Sequence, residues 1–432
     1  MTAISENEYC LFDKIFGIIT LHPVSKVIIS HNFFKRLNSI YQLGTLHFKF
    51  KYATETRYSH SIGVAYLANY IGKIFKNKYN KITNKELLLL ELAALCHDLG
   101  HGIYSHSYDH FLQYKKTHLI TRHHEVRSMI IFEYMIKDLM KKNELPVNLT
   151  EQDIRLVQFF IDPIKYKQYL SKTKLTSKQI NTDTYYPKEI GTFYVGLEQI
   201  VNNVIHKVDI DKLDYLIRDA QSLRVDQSFS KDINILDVLQ RTAIIDGIWS
   251  FDIKDKFIIY ELICRRFILY NNKYLHPDVA IINSMFIRAL TLTDNILNFS
   301  QCTKLEDMDD VIEFGKLTDD YIMDLLLNTT NPHLFPARKL IIRICTNNID
   351  KYIGDFVAGS YLPDENKYYD LPWPLVSDKS LPTNILSKVK YHNSGKIIPS
   401  RNTKYVRVIE IKDNDEEKTT MSNNISIYSD FM

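Results

Sequence analysis

The chain has 432 residues, is 45% hydrophobic, and carries 54 basic against 51 acidic side chains for a net charge of +3. That composition excludes an extended polar chain and fits a protein with a sizeable core; the near balance of charge argues against binding nucleic acid by bulk electrostatics alone. No apolar run approaches the roughly 18 residues a membrane span needs. Five scattered cysteines without CxxC spacing (Cys10, Cys96, Cys264, Cys302, Cys345) indicate reduced thiols in a cytoplasmic-type compartment, with the nucleus left open. MTAISENEYC lacks the basic and apolar regions of a signal peptide.

In chain order, residues 9–23 suggest a short hairpin. Val24–Gln42 has helical spacing and stops at Gly44, and 45–56 looks extended. His60–Phe75 is an amphipathic helix. Thr83 and Glu86 form a capping-box pattern opening a helix over Lys85–His97, apolar almost all round and therefore central. Helices follow over 123–142 and 150–162, then a polar surface loop over Lys165–Lys188. Ile200–Leu223 reads as one long helix carrying Asp209, Asp211, Asp214 and Asp219. Residues 232–247 look helical, and 248–259 look like a hairpin around Lys254-Asp255. Two helices are expected in 260–299 and two more in 317–350. From about Asp355 prolines cluster, KVKYHN and KYVRVIEI alternate like strands, and a polar tail follows. The fold class is mainly α: a helical core over 1–350 and a small mixed α/β lobe over 351–432.

The chemistry concentrates in Ala94–Glu125, which holds seven of the fifteen histidines. Neutral imidazole is the commonest metal ligand, and histidine titrates near neutrality. His60, His97, Asp98 and Asp211 supply two imidazoles and two carboxylates, a set suited to iron, manganese, zinc or nickel. Magnesium prefers oxygen and would bridge a carboxylate and a substrate phosphate. A bound divalent cation makes water nucleophilic near neutral pH, and hydrolysis then needs an acid at the leaving oxygen. His106 with Asp109, and His124 beside Glu125, are the candidates, with His101 in the same group. His110, His118 and His123 read as surface or packing residues. Asp211, Tyr215 and Arg218 fall on one helix face.

The pattern of His60, His97-Asp98 and Asp211 resembles the signature of HD-domain metal-dependent phosphohydrolases. Within that superfamily the resemblance is closest to the deoxynucleoside triphosphate (dNTP) triphosphohydrolases that pair the HD domain with a sterile-alpha-motif domain. It is carried, in order, by LHPVSKVIISHNFFKRLNSIYQLG, RYSHSIGVAYLA, LCHDLGHGIYSH, HHE, VDIDKLDYLIRD and FGKLTDDYI, from about Ile15 to Arg343. The resemblance implies an all-α core that cleaves a dNTP to deoxynucleoside and inorganic triphosphate. It implies His60, His97, Asp98 and Asp211 as metal ligands and His106 as the histidine at the scissile phosphate. His101, Asp109, His124 and Glu125 would support His106. Arg57, Lys212 and Arg266 would contact the triphosphate, Tyr215 and Tyr274 the sugar, Gln42 and Leu43 the sugar and base, and Asp219 the 3′-hydroxyl.

Two departures stand out. There is no room for a sterile-alpha-motif domain before residue 9, and Ser30, Lys35 and Asn38 stand where these relatives recognise an activating guanine nucleotide with an acid, a glutamine and an arginine. The expectation is activity without guanine-nucleotide control, in a homo-oligomer that is a dimer before a tetramer. Two alternatives stay open: an HD phosphohydrolase of another nucleotide, and a non-catalytic module binding protein or nucleic acid, to which KNKYNK and KTKLTSK would contribute.

Overall fold

The computed structural model describes residues 8–117, 119–172, 190–191, 193–225, 234–357, 368–371 and 405–410. The chain opens with the expected hairpin, β1 (Tyr9–Asp13) against β2 (Gly17–Leu21). The single helix expected over Val24–Gln42 is instead three pieces: α1 (Pro23–Ser30), α2 (Asn32–Lys35) and a 3-10 turn at Arg36–Ser39. The break is at His31, whose backbone is extended and whose ring accepts from the Phe33 N–H, capping the second piece. Residues 45–56 are not a strand. They hold α3 (Leu46–Lys49), and the only extended pairing there joins Tyr41 to Thr56.

The core is built on α4 (Arg57–Lys78) and α5 (Asn84–Cys96). The Thr83–Glu86 capping box is present, and α5 is buried continuously from Leu88 to Cys96. Each fully buried leucine there contributes roughly 1.5–3 kcal/mol. The helix packs on α4 on one side and on α8 (Glu151–Ile161) on another. Between them in sequence lie α6 (His106–Tyr114) and α7 (His124–Lys141). A second capping box, Thr150 with Asp153, opens α8. The loop expected from Lys165 begins as a helix, α9 (Pro163–Lys172), started by Asp162, which accepts from the Ile164 and Lys165 N–H groups. The remainder of that stretch lies outside the described residues.

The long helix expected over Ile200–Leu223 is divided. A short α10 (Glu198–Val201) precedes α11 (Ile210–Ser222), and Asp209 caps the latter by accepting from the Lys212 N–H. Its other oxygen accepts from the Asn203 N–H, so the carboxylate holds the turn that replaces two helical turns. Next come α12 (Ile235–Arg241) and a hairpin of β3 (Ala243–Ile245) and β4 (Ile248–Ser250). The hairpin turns at Asp246-Gly247, both with positive φ, not at Lys254-Asp255. Lys254-Asp255 lies in a 3-10 turn, where Asp255 takes a two-pronged bond from Arg241.

The four helices expected beyond are present as α13 (Lys256–Leu269), α14 (Pro277–Leu297), α16 (Asp319–Asn328) and α17 (Phe335–Cys345), and a further helix that was not expected, α15 (Met308–Gly315), lies between α14 and α16. An antiparallel sheet in the order β5 (Lys351–Val357), β7 (Tyr405–Glu410), β6 (Tyr368–Leu371) follows. The strand expected in KYVRVIEI is β7; KVKYHN lies outside the described residues. The fold is mainly α, as expected. All five cysteines are free. Among the described residues no helix is long and apolar enough to cross a membrane.

Candidate active site

Three helices meet at one point. His60 sits in the first turn of α4, His97 caps the C-terminus of α5 with Asp98 next to it, and Asp211 lies in the first turn of α11. His60, His97 and Asp98 place ligand-type atoms within 4.8 Å of one another. Asp211 Oδ1 lies 3.1 Å from His60 Nε2 and 3.6 Å from His97 Nε2. The group is able to hold a metal ion. Both Nε2 atoms are buried and carry no well-aligned hydrogen bond, while their other ring nitrogens are occupied. His60 Nδ1 donates to Asp214 at 2.7 Å and His97 Nδ1 donates to the Ala94 carbonyl at 2.7 Å. Anchoring one nitrogen turns the free lone pair of each ring inward, as metal-binding histidines require.

The charges agree with that reading. Burial opposes protonation of His60, but Asp211, Asp214 and Asp98 outweigh it and lift its pKa to about 10. Burial also opposes ionisation of Asp98, yet Arg57 with His97 and His101 holds it well below the usual carboxylate range. Carboxylates crowded on an imidazole favour a positive charge at this spot, and a divalent cation held by His60, His97, Asp98 and Asp211 would supply one.

Sequence reading named Asp214 only as a helix residue, but it is part of the site. Arg218 grips both its oxygens at 2.9 Å and continues to Asp13 on β1 at 3.0 Å. Gly63 makes this possible, since a side chain there would overlap Asp214 and Arg218. The signal was the D-x-x-D-x-x-x-R spacing on α11, which puts both aspartates on the side facing α4. Asp214→Asn keeps the shape and an acceptor for Arg218 but weakens the hold on His60. We expect metal affinity to fall by about 10- to 100-fold in a chelator competition with folding intact. Unchanged affinity would show that Asp214 does not orient the ligand.

The second group lies one loop further on. His101, His106, Asp109 and His124 place their polar atoms within 4.8 Å. Asp109 accepts from His124 Nδ1 at 2.8 Å and from Arg127 at 2.5 Å, and lies 3.6 Å from His106 Nδ1. Arg127, also missed in the sequence, is fully buried and donates further to the Gly100 and Thr121 carbonyls. Burial resists ionisation of Asp109, but Arg127 and His124 keep it well below the normal range. Burial likewise opposes protonation of His124, while Glu125, 3.7 Å away, and Asp109 raise its pKa to about 8. His101 stacks on His124 and lies 3.3 Å from Asp98, bridging the two groups. Burial, then Arg57, hold His101 neutral, and among the described residues neither of its nitrogens makes a well-aligned hydrogen bond. His106 differs from the rest: its side chain is 60% exposed.

The expected substrate contacts divide into pairs. Arg266 donates to the Tyr215 hydroxyl at 3.2 Å, and the Tyr274 hydroxyl donates to Asp219 at 2.5 Å. Asp211, Lys212, Tyr215 and Asp219 follow one another along α11, and at about 1.5 Å per residue Asp219 lies about 12 Å from Asp211 along the axis, a length suited to a nucleotide. Lys212 bonds Asp209 at 2.7 Å. Arg57 is bound by the protein itself, donating to Asp98 at 2.8 Å, to Ser105 and to the Gln42 carbonyl. Gln42 is buried with an unpartnered side-chain oxygen, and Leu43 packs beside it against the core. His110 is on the surface and His123 packs by Lys165; His118 lies outside the described residues.

Two imidazoles and two carboxylates gathered at helix ends, with a histidine–carboxylate group alongside, form a donor set able to hold a metal ion. Residues 57–216 match the HD domain family. The chain is 28% identical over 411 residues to the deoxynucleoside triphosphate triphosphohydrolase SAMHD1 of Bos taurus, covering 90% of this chain and 66% of that protein. It is 29% identical over 341 residues to the putative HD domain-containing protein L394 of Acanthamoeba polyphaga mimivirus, covering 74% and 65%. Over 350 residues it is 30% identical to the SAMHD1 homolog of Dictyostelium discoideum, covering 81% and 60%. The chain thus spans roughly three-fifths to two-thirds of the length of these relatives.

Proposed function

We propose that the protein is a metal-dependent phosphohydrolase that cleaves a dNTP into deoxynucleoside and inorganic triphosphate, without guanine-nucleotide activation. The observation that carries this reading is the pair of inward-facing, unpartnered Nε2 atoms on His60 and His97, opposed by Asp98 and Asp211 beside an acid–base group. The relatives named as dNTP triphosphohydrolases support the substrate class. Iron, manganese, zinc or nickel suits the donor set, with magnesium carried on the triphosphate. A cation bound there supplies Lewis acidity toward a phosphoryl oxygen and lowers the pKa of water.

The chain's own residues do the rest. Tyr274 and Asp219 hold the sugar end, with Gln42 and Leu43 against sugar and base. Lys212, Arg266 and Arg57 offset the triphosphate's negative charge. Water adds to the α-phosphorus and releases a proton to solvent, the bond to O5′ breaks, and His106, exposed and backed by Asp109, gives O5′ its proton. His101, His124 and Glu125 set the charge around that transfer. At the surface Ser30, Lys35 and Asn38 are all exposed, and the Asn38 side chain donates to the Lys35 carbonyl. No carboxylate or guanidinium stands at those three positions to recognise guanine.

The binding alternative is weakened at one position of KNKYNK, where Lys78 bonds the Gln240 and Thr242 carbonyls. We retain a dimer and a division into a 1–350 core and a 351–432 lobe as parts of this proposal.

The test is incubation with each dNTP and Mn²⁺ or Mg²⁺, with and without GTP, and chromatography of the products. Deoxynucleoside and triphosphate without GTP is the expected result. Orthophosphate or pyrophosphate would move the reading to another nucleotide chemistry, and strict dependence on GTP would overturn the regulatory part.

A further inference from the structure

We infer that Asp319 is a positioning residue for the reaction: one buried carboxylate ties the loop carrying Gln42-Leu43 to the turn that aims His106. The inference rests on the active-site reading above.

Asp319 opens α16, far from the HD motif in sequence, and is 1% exposed. Its Oδ2 accepts from the Tyr41 N–H at 2.8 Å and its Oδ1 from the Tyr104 N–H at 2.5 Å. Tyr41 precedes Gln42. Tyr104 and Ser105, the two residues ahead of His106, both have left-handed backbones, with φ 52° and 56°. Two consecutive non-glycine residues in that region cost on the order of 1–3 kcal/mol each and persist only where the surroundings impose them.

Here the surroundings do. Besides the Tyr104 N–H bond to Asp319, Ser105 Oγ donates to the Tyr41 carbonyl at 2.6 Å and accepts from Arg57 at 2.9 Å. The His47 ring stacks on Tyr41 at 4.3 Å and on Tyr104 at 5.5 Å. Gly44 has φ 54°, and a side chain there would overlap the Tyr104 carbonyl, so the two loops touch. Arg36, buried nearby, donates to the Leu99, His101 and Leu317 carbonyls, joining the same segment to the residues after Asp98. Of these ties, Asp319 alone bonds both loop backbones through one side chain. Moving it misplaces the proton donor and the substrate loop together.

Asp319→Asn tests this. The amide keeps the size but offers one acceptor in place of two and sets an N–H₂ group against a backbone N–H. Measurements belong at pH 8, above the pKa of about 7 to which burial lifts the carboxyl, so that the parent group is ionised. We expect kcat to fall by roughly 10- to 100-fold, the loss that a displacement of about 1 Å can cause, with KM for dNTP raised and bound metal unchanged. Amide exchange should quicken in peptides covering 41–46 and 102–107 and stay constant in α8. Asp320→Asn, the same change on the exposed neighbour, should leave every readout at the parent value. Normal kcat per folded molecule with a smaller folded fraction would reduce Asp319 to a structural residue and overturn the inference. Exchange needs no substrate: if the parent protein turns over no dNTP, unchanged exchange at 102–107 by itself overturns it.

Discussion

Asp211→Asn should abolish turnover, by on the order of a thousandfold or more. Metal-ion catalysis supplies several kcal/mol of transition-state stabilisation, and about 1.4 kcal/mol is a factor of ten. Asn keeps the volume but loses the charge that faces His60 and His97. Asp211 is the candidate ligand of choice for this experiment because its side chain is 29% exposed. Asp98→Ala is a poorer test: it strips Arg57, 5% exposed, of its carboxylate, and an uncompensated buried charge costs about 3–5 kcal/mol. His97→Ala is intermediate, since it loses one bond, to the Ala94 carbonyl. Metal content, kcat and the thermal midpoint should be measured on the same preparations. The expected pattern is metal and turnover lost together with the midpoint held. Parent-level turnover in metal-depleted Asp211→Asn and His97→Ala would end the metal-centred reading.

His106→Ala should lower kcat by about 10²- to 10⁴-fold, the range for losing a general acid, while bound metal is unchanged. The side chain is 60% exposed and stands 3.6 Å from Asp109, so stability should shift by less than about 0.5 kcal/mol. The contrast is Asp109, which holds both His124 and Arg127; removing it confounds chemistry with folding. An aryl phosphodiester whose nitrophenolate leaves without a proton separates the roles. The variant should lose far less rate on that substrate than on dNTP. Equal losses on both would mean that His106 binds phosphate instead of donating the proton.

Much of the site was legible because its residue types are rare in combination and sit at helix ends. His60 follows a helix start and His97-Asp98 a helix stop, marked by local signals such as the Thr83–Glu86 capping box, whereas Asp211 was read inside a longer helix and in fact opens α11. Such signals act within a few residues, so sequence carries them. The errors have the opposite character. His31 and Asp209 break apolar runs that periodicity reads as continuous, because each caps a helix with its own side chain. Asp246-Gly247 was a readable hairpin turn, overlooked in favour of a polar pair that in fact meets Arg241.

What the sequence by itself determined is the set of candidate ligand residues, the mainly helical class and the order of the segments that carry both. What only the tertiary structure decided is the support of that set. Asp13 reaches Arg218, Asp214 aims His60, Arg127 braces Asp109, and Asp319 joins Tyr41 to Tyr104. The partners in most of these bonds lie too far apart in the chain for any local pattern to record them. A buried carboxylate must find its donors within hydrogen-bond distance or remain unpaired at several times the strength of one bond, and which donors are there depends on how the helices pack.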